Sequence, residues 1–146
     1  MEFYWGDLSI ARMDRVYPYL VECATLTLKN SKYDLTIPWM GGVRTAEQQN
    51  KLFQDGNSKC DGYNDLSYHQ IWDGNKYGMA IDIIPVGKDP YKDTRKLNYI
   101  GNLMLINWQE LIAKYMKEEG KDIGVMRWGG TFGSTSWDRP HFEIRL

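Results

Sequence analysis

One helical stripe constrains this chain more than any other feature. Between Lys96 and Lys117, the residues Leu97, Ile100, Leu103, Met104, Trp108, Leu111, Ile112 and Tyr115 recur at helical spacing. An amphipathic helix with so apolar a face must be covered by other elements, so it organises a core rather than a cofactor box. Candidate partners lie on both sides of it in the sequence. Pro18 suits the first turn of a helix, where its missing N–H is no loss, and Leu20, Val21, Ala24 and Leu28 form that helix's inward side. A shorter helix is predicted over Ser9 to Val16, with Ile10, Met13 and Val16 on one side. Thr45-Ala46-Glu47-Gln48 reads as a capping box, opening a helix that runs to about Asp55 and stops at Gly56. Leu35 to Ile37, Met79 to Val86, Val125 to Trp128 and His141 to Leu146 read as strands. Helices first, with strands between and late, predict an α+β fold: a small antiparallel sheet with flanking helices. A chain of 146 residues is expected to form one domain, 1–146, with no separate binding domain.

Composition narrows the partners. The formal net charge is -1 and the pI about 6.1, so there is no polybasic footprint and no nucleic acid is expected. No apolar run approaches the roughly 20 residues that span a bilayer, so no membrane insertion is expected. Met1 to Asp7 has no basic stretch followed by an apolar one, and no signal peptide is read there. The twenty aromatics (six Trp, ten Tyr, four Phe) are read as core and scattered surface rings, with some lining a groove for peptide or sugar. Cys23 falls in a helical pattern and reads as a small buried hydrophobe, Cys60 falls in a polar loop, and nothing requires a bond between them. The loop from Asp55 to Asp65 lacks EF-hand spacing and reads as solvated. There is no H-E-x-x-H, no G-x-S-x-G, no Walker loop and no dinucleotide fingerprint.

The chain has only two histidines, His69 and His141, and each sits in a setting that looks like a metal ligand, although a lone histidine is more often structural or at the surface. Two imidazoles and a carboxylate are a common protein ligand set for catalytic zinc. Asp82 stands in an apolar strand, with Met79, Ile81 and Ile83 pointing one way and Ala80 and Ile84 sharing its own side. A carboxylate there needs a cation or a metal, and the pattern alone leaves both open. In the last strand His141, Glu143 and Arg145 alternate with Phe142, Ile144 and Leu146. This predicts an apolar core face and a polar face on which His141 looks into a cleft. Asp138, three residues before His141, is placed to reach a metal-bound water, and Glu143 to orient His141 from behind. Arg44, just ahead of the capped helix, reads either as a surface charge or as a cradle for a carboxylate or oxyanion.

Taken together, Ser67-x-His69, Gly78-x-Ala80-x-Asp82 and Asp138-x-x-His141 resemble zinc peptidases of bacterial cell-wall peptides. This family includes D-Ala-D-Ala carboxypeptidases of the vancomycin-resistance type and phage L-alanyl-D-glutamate endopeptidases. Gly42-Val43-Arg44-Thr45 with Gln49 resembles the family's Arg-plus-Gln segment, and Arg127-Trp128-Gly129-Gly130 its W-G-G run. Ser9 to Arg12 and Tyr17 to Val21 are similar to the endopeptidase branch. One departure stands out. Eight residues, 70–77, separate His69 from Gly78 where the family pattern has two, an insertion of six that should bulge and shape the groove.

The resemblance implies a hedgehog/D-Ala-D-Ala-peptidase-like fold. It implies Zn2+ on His69, Asp82 and His141, Asp138 as general base, and Arg44 against substrate or transition state. It also implies Gln49 and Ser67 as substrate-binding residues and peptidoglycan stem peptides as partner. A monomer is expected, held in the host cytoplasm until released to the wall. The first expectation is an endolysin cutting the L-Ala–D-Glu bond. A D-Ala-D-Ala carboxypeptidase or dipeptidase with the same centre, and a non-catalytic zinc module, are the alternatives.

Overall fold

The computed structural model describes residues 2–132 and 138–146. Its order is α1 (Asp7–Arg12), α2 (Pro18–Asn30), β1 (Leu35–Thr36), α3 (Ala46–Gln54), β2 (Ala80–Asp82), β3 (Ile84–Pro85), α4 (Thr94–Glu119), β4 (Val125–Trp128) and β5 (His141–Arg145), with short 3-10 turns at Pro90–Lys92 and Gly129–Thr131. β5 lies between β2 and β4 in an antiparallel three-stranded sheet, and β1 pairs with β3 in a separate two-stranded one. This is the expected α+β arrangement of a small antiparallel sheet flanked by helices.

The long helix forms where its stripe predicted it. Asp93 caps it by accepting from the Lys96 N–H at 3.2 Å, and left-handed Gly120 ends it. Leu97, Ile100, Met104, Trp108 and Leu111 are buried; with α2's Leu20, Cys23, Ala24 and Leu28 they form one core that continues into Phe142 and Ile144 of β5. Trp108 is fully buried and donates its indole N–H to the Gly124 carbonyl at 3.1 Å, so its ring packs without an orphaned donor. Truncating a ring in such a place costs about 3–5 kcal/mol. The capping box is present with both reciprocal hydrogen bonds, and Gly56 follows the end of α3. Both cysteines are free; burial pushes the Cys23 thiol up to about 12, so it behaves as an inert small hydrophobe.

Four expectations are corrected. The first helix covers Asp7–Arg12 rather than Ser9 to Val16; Ile10 is exposed, while Ser9 is buried and its hydroxyl meets Thr36 Oγ1 and accepts from the Ile37 N–H. A hydroxyl that bridges to the β1 segment is a better inward residue there than an aliphatic chain. The Met79–Val86 strand is two strands. After Asp82 the chain leaves the β5 ladder, the Ile83 N–H donates to the Pro140 carbonyl, and Ile84 joins β1. Leu146 is exposed rather than core, because the sheet ends at Arg145. The polar row of β5 faces a cavity as expected, but His141 and Glu143 are buried within it rather than lying at the surface, and only Arg145 of that row reaches solvent.

Candidate metal centre

Register places two of the three expected ligands. In the β2–β5 ladder Asp82 stands directly opposite His141, so their side chains leave the same face of the sheet, and Asp82 Oδ1 lies 3.2 Å from His141 Nδ1. His69 arrives from a loop. Its carbonyl accepts the Arg44 N–H at 2.9 Å, its N–H donates to Ser67 Oγ at 3.2 Å, and the preceding Tyr68 carbonyl accepts the Met79 N–H at 2.8 Å. The loop is thereby stitched to the start of α3 on one side and to β2 on the other. His69 Nε2 then sits 3.2 Å from Asp82 Oδ1 and 3.1 Å from His141 Nδ1. One donor atom from each of His69, Asp82 and His141 falls within 4.8 Å of the others, the only such cluster among the described residues.

Both imidazoles are aimed from behind. His69 Nδ1 is 2.8 Å from the Gly42 carbonyl oxygen. A carbonyl can only accept, so Nδ1 carries the hydrogen and Nε2 presents its lone pair to the centre. That carbonyl is close because position 42 is glycine: a Cβ there would overlap the carbonyl oxygen of Arg12. His141 Nε2 donates to Glu143 Oε1 at 2.9 Å, leaving Nδ1 for the centre. Glu143 is held in turn by Arg145 Nε at 3.2 Å and by Arg127 Nη1 at 3.7 Å. This is the orienting role expected for Glu143. Two oriented nitrogens and one carboxylate oxygen fit a tetrahedral metal with an open fourth position.

The titration behaviour follows. Burial pulls the His69 imidazole down and keeps it neutral. Burial acts the same way on His141, but the hydrogen bonds it donates to the Asp82 and Glu143 carboxylates outweigh it and raise His141 to about 9. Burial alone would push the Asp82 carboxyl up; the two imidazoles beside it hold it well below the usual carboxylate range. Asp138 moves the other way. Burial and the neighbouring Asp82 charge lift it to about 6, against the pull of His141 and Arg44. Its carbonyl accepts the His141 N–H at 3.1 Å, and its backbone packs so tightly on Gly129 that a Cβ there would overlap the Asp138 carbonyl. The first glycine of the W-G-G run thus seats the acid.

Arg44 is not a free surface charge. Its Nε donates to the Met40 carbonyl at 2.7 Å, Nη1 to Gln49 Oε1 at 3.0 Å, and Nη2 to Asp82 Oδ2 at 3.1 Å. Met40 holds a left-handed φ of 60°, which marks a bend over-determined by its surroundings. Gln49 is fully buried, and its amide donates to Ser58 Oγ and the Cys60 carbonyl. It therefore stands beneath Arg44 and anchors it to the 57–66 loop. Ser67 lies on the cavity wall.

The cavity holds about 720 Å³ and contains His69, Asp82, His141, Asp138 and Arg44. Trp39 and Tyr91 line it while remaining 71% and 60% exposed, so they stand at its mouth. Nothing in the sequence pattern singled out these two rings, because an exposed aromatic has no periodicity. The insertion does bulge: Trp72 to Asn75 is a turn, and Tyr77 packs on Tyr17. Its residues 71–77 do not line the cavity themselves; Trp72 packs edge-on against Tyr68, which does, with ring centroids 5.6 Å apart. A backbone that turns toward α2 carries residues 71–77 away from the centre.

The profile of the phage L-alanyl-D-glutamate peptidases matches residues 1–144. The chain belongs to that family. The L-Ala–D-Glu endopeptidase ChiX of Serratia marcescens, solved by crystallography, is similar in fold. It superposes with a TM-score of 0.68 over 97% of this chain and 90% of that one, at 19% sequence identity. No curated protein matches. As a member of the phage peptidase family with its His-His-Asp cluster assembled, the chain is a peptidoglycan-active metallopeptidase at the level of the family.

Proposed function

We propose that this chain hydrolyses the L-Ala–D-Glu bond of peptidoglycan stem peptides, as a zinc-dependent phage endolysin. One observation carries the reading: the family whose profile spans residues 1–144 is the one named for that bond. The donor set supports zinc, since neutral imidazoles and one carboxylate suit it and leave a position for substrate. No helix among the described residues is long and apolar enough to cross a membrane. The enzyme would wait in the host cytoplasm, as a monomer, until the membrane is opened and the wall exposed.

His69 Nε2, His141 Nδ1 and an Asp82 oxygen would hold the metal, whose Lewis acidity makes a nucleophile available near neutral pH and polarises the scissile carbonyl. The chain's own residues do the rest. Asp138 takes the proton from the attacking water, and an acid lifted to about 6 is well matched to a neutral working pH. It then carries that proton to the departing amine of D-Glu. Arg44 is pinned on Asp82, Gln49 and Met40, so its guanidinium is oriented before substrate arrives and can meet the developing oxyanion without reorganising. Gln49 acts on substrate through Arg44, while Ser67 braces the His69 loop and faces the bound peptide.

Mass spectrometry of purified peptidoglycan after digestion tests the reading. New N-terminal D-Glu is expected. Release of free D-Ala alone would instead make the enzyme a carboxypeptidase with the same centre.

A further inference from the structure

Two arginines of the cavity wall, so far met only as supports of Glu143, have no assigned contact with substrate. Arg127 in β4 stands opposite Glu143 in the ladder, and Arg145 is the next residue of β5 on the face that His141 and Glu143 share. Both contact the same carboxylate, Glu143 Oε2, and both remain nearly half exposed, at 42% and 48%. Two guanidiniums on one carboxylate leave net positive charge at this end of the cavity. Arg145 commits only its Nε to Glu143. Arg127 places its guanidinium carbon over the Phe132 ring, 4.6 Å from the centroid, and Phe132 in turn packs on His141 at 5.8 Å. The pair is therefore rigidly placed, one side chain beyond a metal ligand, with N–H groups to spare. A planar fork held this way fits a carboxylate.

We propose that Arg127 and Arg145 form a carboxylate-binding subsite that reads the free α-carboxylate of the D-Glu residue on the leaving side of the scissile bond. The proposal rests on the L-Ala–D-Glu reading. In that substrate D-Glu continues through its side-chain carboxyl, so its α-carboxylate hangs from the same carbon as the scissile nitrogen. A group so near the cut bond falls within reach of guanidiniums one side chain beyond His141. Stem peptides whose α-carboxyl is amidated would forfeit the ion pair, and the subsite thus sets which cell walls are cut well.

Two synthetic substrates test this, MurNAc-L-Ala-γ-D-Glu-L-Lys and its D-isoglutamine counterpart, cleaved by the zinc-loaded enzyme with products identified by mass. The wild type is expected to favour the free acid by about tenfold or more in kcat/KM, the range of a charge-assisted hydrogen bond. In R127Q/R145Q that preference should collapse, the acid-to-amide ratio of kcat/KM falling toward one with both substrates measured on the same zinc-loaded preparation, so that any change in zinc affinity from the lost Glu143 contacts cancels. R145K, which keeps charge but not the fork, should retain part of it. Equal rates on both substrates in the wild type, or a preference that survives R127Q/R145Q, would overturn the subsite while leaving the bond assignment standing. Failure to cut the Ala–Glu bond in either peptide would overturn both.

Discussion

Asp82 and His141 are held by a ladder, His69 by a loop, and the two arrangements are fixed by different forces. The strand pair needs only the register of β2 on β5, which the apolar alternation of both strands enforces: a slip of one residue would turn Ile81 and Phe142 out of the core. His69 depends on backbone hydrogen bonds from Arg44 and Met79 and on the Gly42 carbonyl behind it. The outer partners differ in the same way. His141 leans on a side chain, Glu143, and His69 on a main-chain oxygen. Evolution or an experimenter can remove the first with one substitution, whereas the second can only be displaced by moving the chain.

The largest effect should come from removing what the two regions share. Chelation is expected to abolish hydrolysis and zinc to restore it; activity that survives thorough chelation would reject a metal mechanism for both. Next, Asp138→Ala touches neither route to the metal. It should fold, bind zinc normally and lose about 10²–10⁴ in rate, the usual worth of a general acid–base group. The wild-type rate should rise with pH along an acid limb. The sign follows from Asp138 having to be deprotonated to accept, and the limb should lie no higher than about 6, the value that burial and Asp82 give it before bound metal charge pulls it down. An acid limb that persists unchanged in Asp138→Ala would separate Asp138 from the base role.

A sharper contrast comes from the outer partners. Glu143→Gln should weaken zinc binding about 10–100-fold, measured by competition with a chelator, with little change in thermal stability beyond the loss of its arginine contacts. Gly42→Ala should harm both together, because the new Cβ meets the Arg12 carbonyl and the whole His69 support must shift. Equal behaviour of the two variants would erase the distinction between side-chain and main-chain support.

The smallest effect is in protons. His141 is raised to about 9 in the protein without metal, so zinc must displace one proton from it. Affinity for zinc should fall by about tenfold per pH unit below that value, with one proton released per metal bound. For the apoprotein the linkage has the matching sign. A histidine whose folded pKa exceeds its unfolded 6.5 adds stability below that pH, and the gain disappears as pH rises through about 9. Release of no proton on zinc binding at pH 7 would place the charge elsewhere.

Most of the fold was legible from one sequence because it rests on local rules, while the three candidate ligands were legible as a set only through the family resemblance. The stripe of α4, the Thr45 capping box and the alternation of β5 state their own periods, and Asp82 is conspicuous as an acid among aliphatics. Legibility stopped where a contact joins distant segments. Ser9 replaces Ile10 as the inward residue of α1 because of a partner in β1, twenty-seven residues away. The single strand read over Met79 to Val86 divides because two different sheets compete for it. Alternation put His141 and Glu143 on a polar face, but how deeply they are buried depends on the distant residues that share the cavity with them, Arg44, His69 and Asp82 among them.

The sequence by itself determined most of the elements, and its resemblance to the cell-wall peptidases, rather than residue type or spacing alone, pointed to His69, Asp82 and His141 as candidate ligands and to Asp138 as the candidate base. Only the tertiary structure decided which nitrogen of each histidine faces the centre, why Arg44 is locked onto Asp82, and that the insertion after His69 turns away from the cavity. Those facts depend on which carbonyl, carboxylate or ring comes to lie across from each group. Chain separation carries no record of that until the core has closed.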